Sequence, residues 1–447
     1  MSGDRANGNG VKRGRAERDG VEQAGVEEAG VQDGATGSGA QDTAGHLNLD
    51  RLLDAPETKI VVCCGSGGVG KTTTAAAFAL RAAERGRDVV VLTIDPARRL
   101  AQSLGLTELD NTPREVAGID RSKGGRLHAM MLDMKRTFDE IVLDHADPQR
   151  AEQILANPFY QSLSASFAGT QEYMAMEKLG QLRARGEWDL IVVDTPPSRS
   201  ALDFLDAPER LGSFLDGRLI RILSAPAKVG GLGAFKLLTG GVSLVTGALG
   251  KILGSTLLGE VQSFVAALDT MFGGFRERAE RTYQLLQTEG TAFVVVAAPE
   301  PDALREASYF TRRLATDKMP LAGLVLNRVH RPQADITAER ALAAAEELTN
   351  GKTGKRTTRK NAAGANGAAK GNGAEAPLSA TEEAQAAQLA AALLRLHAER
   401  VVQSRREHRL TGRFLASHPG IAMLELPAQA EDIHDLDGLR EIIARSA

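Results

Sequence analysis

The sequence predicts an α/β fold, a doubly wound and mostly parallel sheet built around a glycine-rich turn, with an inserted apolar helical subdomain. Three observations predict it. Continuous apolar runs alternate with helical stretches along most of the chain, the pattern of parallel strands buried on both faces. The string GSGGVGKT (65–72) stands between the first such run and the first helix. Two later runs each end on an aspartate, Asp95 and Asp194. Open sheets bind ligands at the carboxyl ends of their strands, where both aspartates are placed.

Taken in order, residues 1–45 are rich in Gly, Ala and acidic side chains and carry the repeat GVEQA GVEEA GVQDG. A period of five suits neither helix nor strand, so a disordered tail is expected. One domain is expected over 46–447. Within it KIVVCC (59–64) predicts a fully buried strand, TTTAAAFALRAAERG (72–86) a helix ended by Gly86, and DVVVLTID (88–95) the next strand. Further strands are expected over 126–133, 188–194, 291–298, 321–327 and 420–426. A long helix is expected over 382–410. Two segments break the alternation. Residues 349–380 are polar, basic and glycine-containing, which predicts a disordered insert. Residues 205–288 read as a helical subdomain, apolar and glycine-punctuated over 211–275. Its uncharged run between Lys236 and Lys251 is 14 residues, short of the roughly 18 that cross a bilayer.

Composition excludes several classes. The chain is 43% hydrophobic and 25% charged, as globular proteins are. A net charge of -3 gives no basic excess to meet phosphate backbones, so no nucleic-acid partner is expected. Cys63 and Cys64 are adjacent in a strand and point to opposite faces, which leaves no disulfide framework and no zinc site. They are expected to be small buried hydrophobes. The histidines are scattered without ligand-like spacing. The first residues lack an apolar signal core, which predicts a cytoplasmic protein.

G-x-x-x-x-G-K-T between strand and helix is a P-loop pattern. Its glycines let successive backbone N–H groups turn inward, and the helix that starts near Lys71 adds partial positive charge. Lys71 is expected to reach the β- and γ-phosphates of ATP, and the Thr72 hydroxyl to ligate Mg2+. Asp95 and Asp194 can converge on the same crevice. One would hold a metal-bound water and the other would orient the attacking water. Strand-end aspartates also serve as simple helix caps, so the pairing behind a P-loop is what gives them weight.

The three stretches GSGGVGKTTTAAAFAL, TIDPARRLAQSLG and VVDTPPSRSALDFLDAP together resemble the P-loop and the two switch segments of the ArsA family of ATPases. Within the family, actinobacterial ArsA-like proteins are the group that the chain most resembles. FVVVAAPEPDALREASYF followed by GLVLNRV resembles the region leading to the family's adenine-contacting asparagine. The resemblance implies a P-loop NTPase core. It implies nucleotide contacts from Gly65, Ser66, Gly67, Gly68, Val69, Gly70, Lys71, Thr72 and Thr73, with Asn327 at the adenine. It implies Mg2+ on Thr72 and, through water, on Asp194, with Asp95 and Lys71 as catalytic groups. It also implies a dimer that opens and closes with the nucleotide and acts on a client or membrane partner, in anion transport or in membrane-protein targeting.

The chain departs from the pattern at Ser66. The family places a lysine there, and its charge reaches the phosphates bound by a partner subunit. Serine is short and neutral, so a heterodimer with a lysine-bearing paralogue is expected to supply the charge. Arg98, Arg99 and Arg199 are the nearby alternatives, and slow hydrolysis is a third outcome. The soft thiolates that bind metalloids are reduced to the vicinal pair, which disfavours arsenite transport. The competing readings are a regulatory ATP-binding subunit, a partition-type ATPase and a nucleotide-dependent electron donor. The electron donor lacks the cysteines for a cluster.

Overall fold

Residues 45–95, 99–157, 160–161, 170–196, 277–350 and 380–446 are described by the structure, a computed structural model. The expected tail up to residue 44, the apolar subdomain up to 276 and the insert between 351 and 379 lie outside them.

Eight strands form a single sheet. They are β1 (Ile60–Gly65), β2 (Asp88–Thr93), β3 (Arg114–Glu115), β4 (Arg126–Met131), β5 (Leu190–Asp194), β6 (Thr291–Ala297), β7 (Leu321–Val329) and β8 (Met423–Pro427). Their spatial order is β3-β4-β2-β5-β1-β6-β7-β8. Every pairing is parallel except that of β3 with β4. β3 has only two residues and no apolar pattern, and it was not legible in the sequence. At the other edge, Leu47 donates to the Met423 carbonyl at 2.9 Å and Met423 donates to the Gly45 carbonyl at 2.9 Å. The chain before the first helix thus extends the sheet.

Alternation sorts the strand residues into two cores. Ile60, Val62, Cys64, Leu92, Val193, Phe293 and Val295 pack on one face with the helices Thr170–Arg185 and Pro301–Thr316. Val61, Cys63, Val91, Val192, Val294 and Val296 pack on the other with the helices Lys71–Glu84 and Leu436–Ala444. Both cysteines have 0% exposure, on opposite faces. Burial raises both thiol pKa values, that of Cys64 to about 12. These are inert apolar residues at neutral pH.

The helix Lys71–Glu84 follows β1 onto one face. The chain after β5 returns to β6 through a helix over 277–286, whose Ala279 and Leu286 pack on the other face. Connections leaving adjacent strands to opposite faces open a crevice at their carboxyl ends. β1 and β5 are parallel neighbours, and the helix after β1 and the helix that enters β6 cover opposite faces, so the carboxyl ends at Gly65 and Asp194 lie side by side at one crevice.

Candidate active site

β1 delivers the chain directly into the glycine-rich turn. At Gly65 the backbone lies so close to β6 that a Cβ would sit 2.1 Å from the Val296 carbonyl oxygen. Gly70 caps the helix with φ 90°, in the left-handed region. Its missing Cβ is also a spatial need, since one would lie 2.2 Å from Asn327 Nδ2. The helix then begins at Lys71, and its first N–H groups have no intrahelical acceptors.

Lys71 is buried, and its Nζ donates to the Ser66 carbonyl across the turn at 2.8 Å. Burial lowers its pKa, and the carboxylates of Asp194 and Asp95 act against that shift. An ammonium resting on a loop carbonyl can exchange that acceptor for a phosphate oxygen without moving its Cα.

Asp194 ends β5 with 0% exposure. Its Oδ2 accepts from Thr72 Oγ1 at 2.8 Å and from Thr93 Oγ1 at 3.0 Å. Its Oδ1 is buried and has no hydrogen-bond partner among the described residues. Burial raises its pKa to about 6, although both hydroxyl donors favour the charged form. A desolvated carboxylate with one vacant oxygen, beside a hydroxyl with free lone pairs, matches what a hydrated divalent cation requires. The residues therefore fit Mg2+.

Asp95 lies two residues beyond the end of β2. Its backbone N–H donates to Thr93 Oγ1 at 3.2 Å, so one hydroxyl joins both strand-end aspartates. Gln171 Nε2 donates to the Ile94 carbonyl at 2.8 Å and fixes the same turn from the helix Thr170–Arg185. Thr195, after β5, donates its hydroxyl to the Cys63 carbonyl at 2.9 Å and locks β5 to β1 at the crevice.

A cavity of 240 Å3 lies beside the turn, lined by Ser66–Val69, Glu300, Asp302, Glu306 and Arg328. Ser66 is part of that lining and is buried at 8% exposure.

The family described as anion-transporting ATPase, the ArsA ATPases, matches residues 58–347. The chain belongs to that family. It is similar to the ATPase GET3 of Podospora anserina, 27% identical over 306 residues that cover 68% of this chain and 83% of the relative. It is also similar to the ATPase get3 of Schizosaccharomyces pombe, 26% identical over 287 residues covering 63% and 76%. A third relative, the ATPase GET3 of Malassezia globosa, is 30% identical over 174 residues, 39% of this chain and 50% of the relative. The protein is a nucleotide-binding P-loop ATPase of the ArsA family.

In this ArsA-family ATPase, the structure brings Lys71, Thr72, Asp194 and Asp95 to one crevice. Asn327 is there too, buried at 5% exposure, with Nδ2 on the Val69 carbonyl at 2.8 Å. Thr73 stands in the first turn of the same helix as Lys71 and Thr72. Of the alternative cations, Arg98 and Arg199 lie outside the described residues, and Arg99 is exposed at the start of the helix Arg99–Ser103. Thr93, Gln171 and Thr195 were missed in the sequence. Thr93 had a signal, since a hydroxyl two residues before a strand-end aspartate stands on the same side of the strand end. Gln171 and Thr195 had none, because their acceptors are carbonyls 77 and 132 residues away.

Proposed function

We propose that the chain hydrolyses MgATP as one half of a dimer whose other half brings the missing cation, and that nucleotide-driven closing acts on a client or membrane partner. The observation that carries the reading is the pairing of Ser66 with the cavity beside it. Three carboxylates, Glu300, Asp302 and Glu306, and one cation, Arg328, line that cavity with Ser66, which leaves an acidic excess. A basic side chain reaching in from a partner would find charge complementarity there and would stand next to the phosphate turn.

In this reading Thr72 and Asp194 are the residues that would hold Mg2+, the latter through a water, and the ion would supply charge neutralisation for the developing phosphate oxygens. Lys71 leaves the Ser66 carbonyl for the β- and γ-phosphates, Asp95 orients the attacking water, and Asn327 lies within reach of the base. The backbone amides of Gly67–Thr73 receive the remaining phosphate oxygens. Both thiols are buried and neutral, which argues against a thiolate-bound metalloid cargo. The apolar stretch over 211–275 supports a hydrophobic client. Among the described residues no helix is long and apolar enough to cross a membrane.

ATPase turnover decides between this reading and a regulatory ATP-binding subunit. The purified chain is assayed alone, with a lysine-bearing paralogue, and as Ser66→Lys. We expect slow turnover alone, acceleration with the paralogue, and homomeric acceleration in Ser66→Lys. Nucleotide binding with no turnover in any of the three settings would establish the regulatory subunit instead.

A further inference from the structure

β7 outlasts its own alternation. Leu324 and Leu326 pack on one face of the sheet, and Val325 packs on the other. Strict alternation would return Val329 to the side of Val325, yet it packs with Leu324 and Leu326. The pairing with β8 shifts register between Leu326 and Val329, the signature of a bulge. The added step is Asn327–Arg328, and Arg328 has φ 63°. A side-chain-bearing residue in that region is unfavourable and persists only where its surroundings impose it.

Those surroundings are specific. Asn327 Oδ1 accepts the Arg328 N–H at 2.9 Å. Two residues on, the His330 N–H donates to Glu407 Oε2 at 2.9 Å, and the His330 ring Nδ1 lies 2.8 Å from Glu407 Oε1. Glu407 is buried on the helix Ala380–Ser417, with Gln403 Nε2 donating to its Oε1 at 3.0 Å. The bulge is therefore held on its downstream side by a buried carboxylate. On its upstream side it aims the Asn327 amide at the Val69 carbonyl, 258 residues distant in sequence. Gly70, next to Val69, leaves just the space that the amide fills.

We propose that Asn327 is a positioning residue of the phosphate site. Its Nδ2–H bond holds the Val69–Gly70 peptide, and so sets the loop amides and the start of the Lys71 helix in the geometry that receives phosphate. The proposal rests on the turn being the ATP site. It is separate from any contact with adenine, because a bond to the loop acts on phosphate whether or not a base is attached.

Asn327→Ala and Asn327→Asp in the full chain test it. Asn327→Asp keeps the size and the acceptor for Arg328 but replaces the donor with a charged oxygen. Asn327→Ala removes the donor without adding charge, so a loss shared by both belongs to the bond. Affinities are measured for MgATP and for magnesium tripolyphosphate, which carries the phosphates without a base. Both variants should bind both ligands roughly tenfold more weakly, the effect of one net hydrogen bond. Amide exchange of the ligand-free peptide 65–71 should quicken while that of 338–349 stays unchanged. A loss confined to ATP would make Asn327 a base reader only and overturn the proposal. So would unchanged affinity for both ligands, or a loss accompanied by faster exchange throughout the sheet. A wild-type chain that binds neither ligand would refute the nucleotide reading itself, and this proposal with it.

Discussion

At Lys71 and Asp194 the fold keeps two opposite charges out of water without joining them directly. The ammonium rests on the Ser66 carbonyl and the carboxylate on two threonine hydroxyls. Lys71→Ala removes the only P-loop side-chain cation and should lower kcat/KM for ATP by at least about a hundredfold, as removal of a charge-stabilising donor does. Steady-state phosphate release measures it. For Asp194, the carboxyl titrates at about 6 in the folded chain against an ordinary value of 3.8. Protonation therefore favours folding, and without metal the chain should lose stability as pH rises from about 4 to about 6. The charged form is then penalised by roughly 3 kcal/mol. Asp194→Asn should flatten that slope by one proton. Urea unfolding of both proteins at several pH values between 4 and 8 shows it, and equal slopes would reject the assignment.

Helix ends show at the next scale up how local geometry serves both packing and the site. The helix Pro301–Thr316, with Glu300 as its N-cap, brings Asp302 and Glu306 to the cavity beside the phosphate turn. Its other end closes in a full Schellman motif. Met319 donates to the Leu314 carbonyl at 2.9 Å and Lys318 donates to the Ala315 carbonyl at 3.2 Å. Leu314 and Met319 are both buried in one core, as the motif requires. Glycine is the usual residue at the left-handed position, but here it is Lys318, with φ 54°. Lys318→Gly should relieve the strain and stabilise the chain by about 1 kcal/mol. A higher denaturation midpoint with unchanged ATPase kinetics is the expected result. At the start of the phosphate turn, Gly65→Ala would drive a Cβ into the Val296 carbonyl. It should lower both stability and phosphate binding, because β1 and the turn share that residue.

At the scale of the whole sheet, one guanidinium joins three neighbouring strands at their amino ends. Arg87 is buried and donates to the carbonyls of Leu53 at 2.7 Å, Thr58 at 2.6 Å and Asp189 at 2.5 Å, with Ala55 at 3.2 Å. It joins the approach to β1, the start of β2 and the start of β5, at the end of the sheet opposite the phosphate turn. Burial lowers its pKa, and the Asp189 carboxylate opposes the shift. Lysine cannot reproduce a planar fork with that many donors. Arg87→Lys should cost about 2–3 kcal/mol of unfolding free energy through the unsatisfied carbonyls. The KM for ATP should stay unchanged, and an altered KM would show that the two ends of the sheet are coupled.

The sequence alone determined the class of the fold, the position of the phosphate turn, the burial of the cysteines and the identity of the strand-end aspartates. Each depends on neighbours within a turn or a strand, where periodicity and backbone geometry are written locally. It also exposed the serine where the family has lysine, since an absent charge is visible wherever the motif is read. The strand order, the antiparallel β3 and the bulge in β7 were decided only by the tertiary structure. Asn327 read as a base contact because its sequence context resembles one. Its bond to Val69 arises because β7 lies two strands from β1, with β6 between them, and because one inserted residue re-aims the chain. The orphaned Oδ1 of Asp194 is equally a property of the packed crevice. No local pattern encodes which oxygen of a carboxylate two distant hydroxyls leave free.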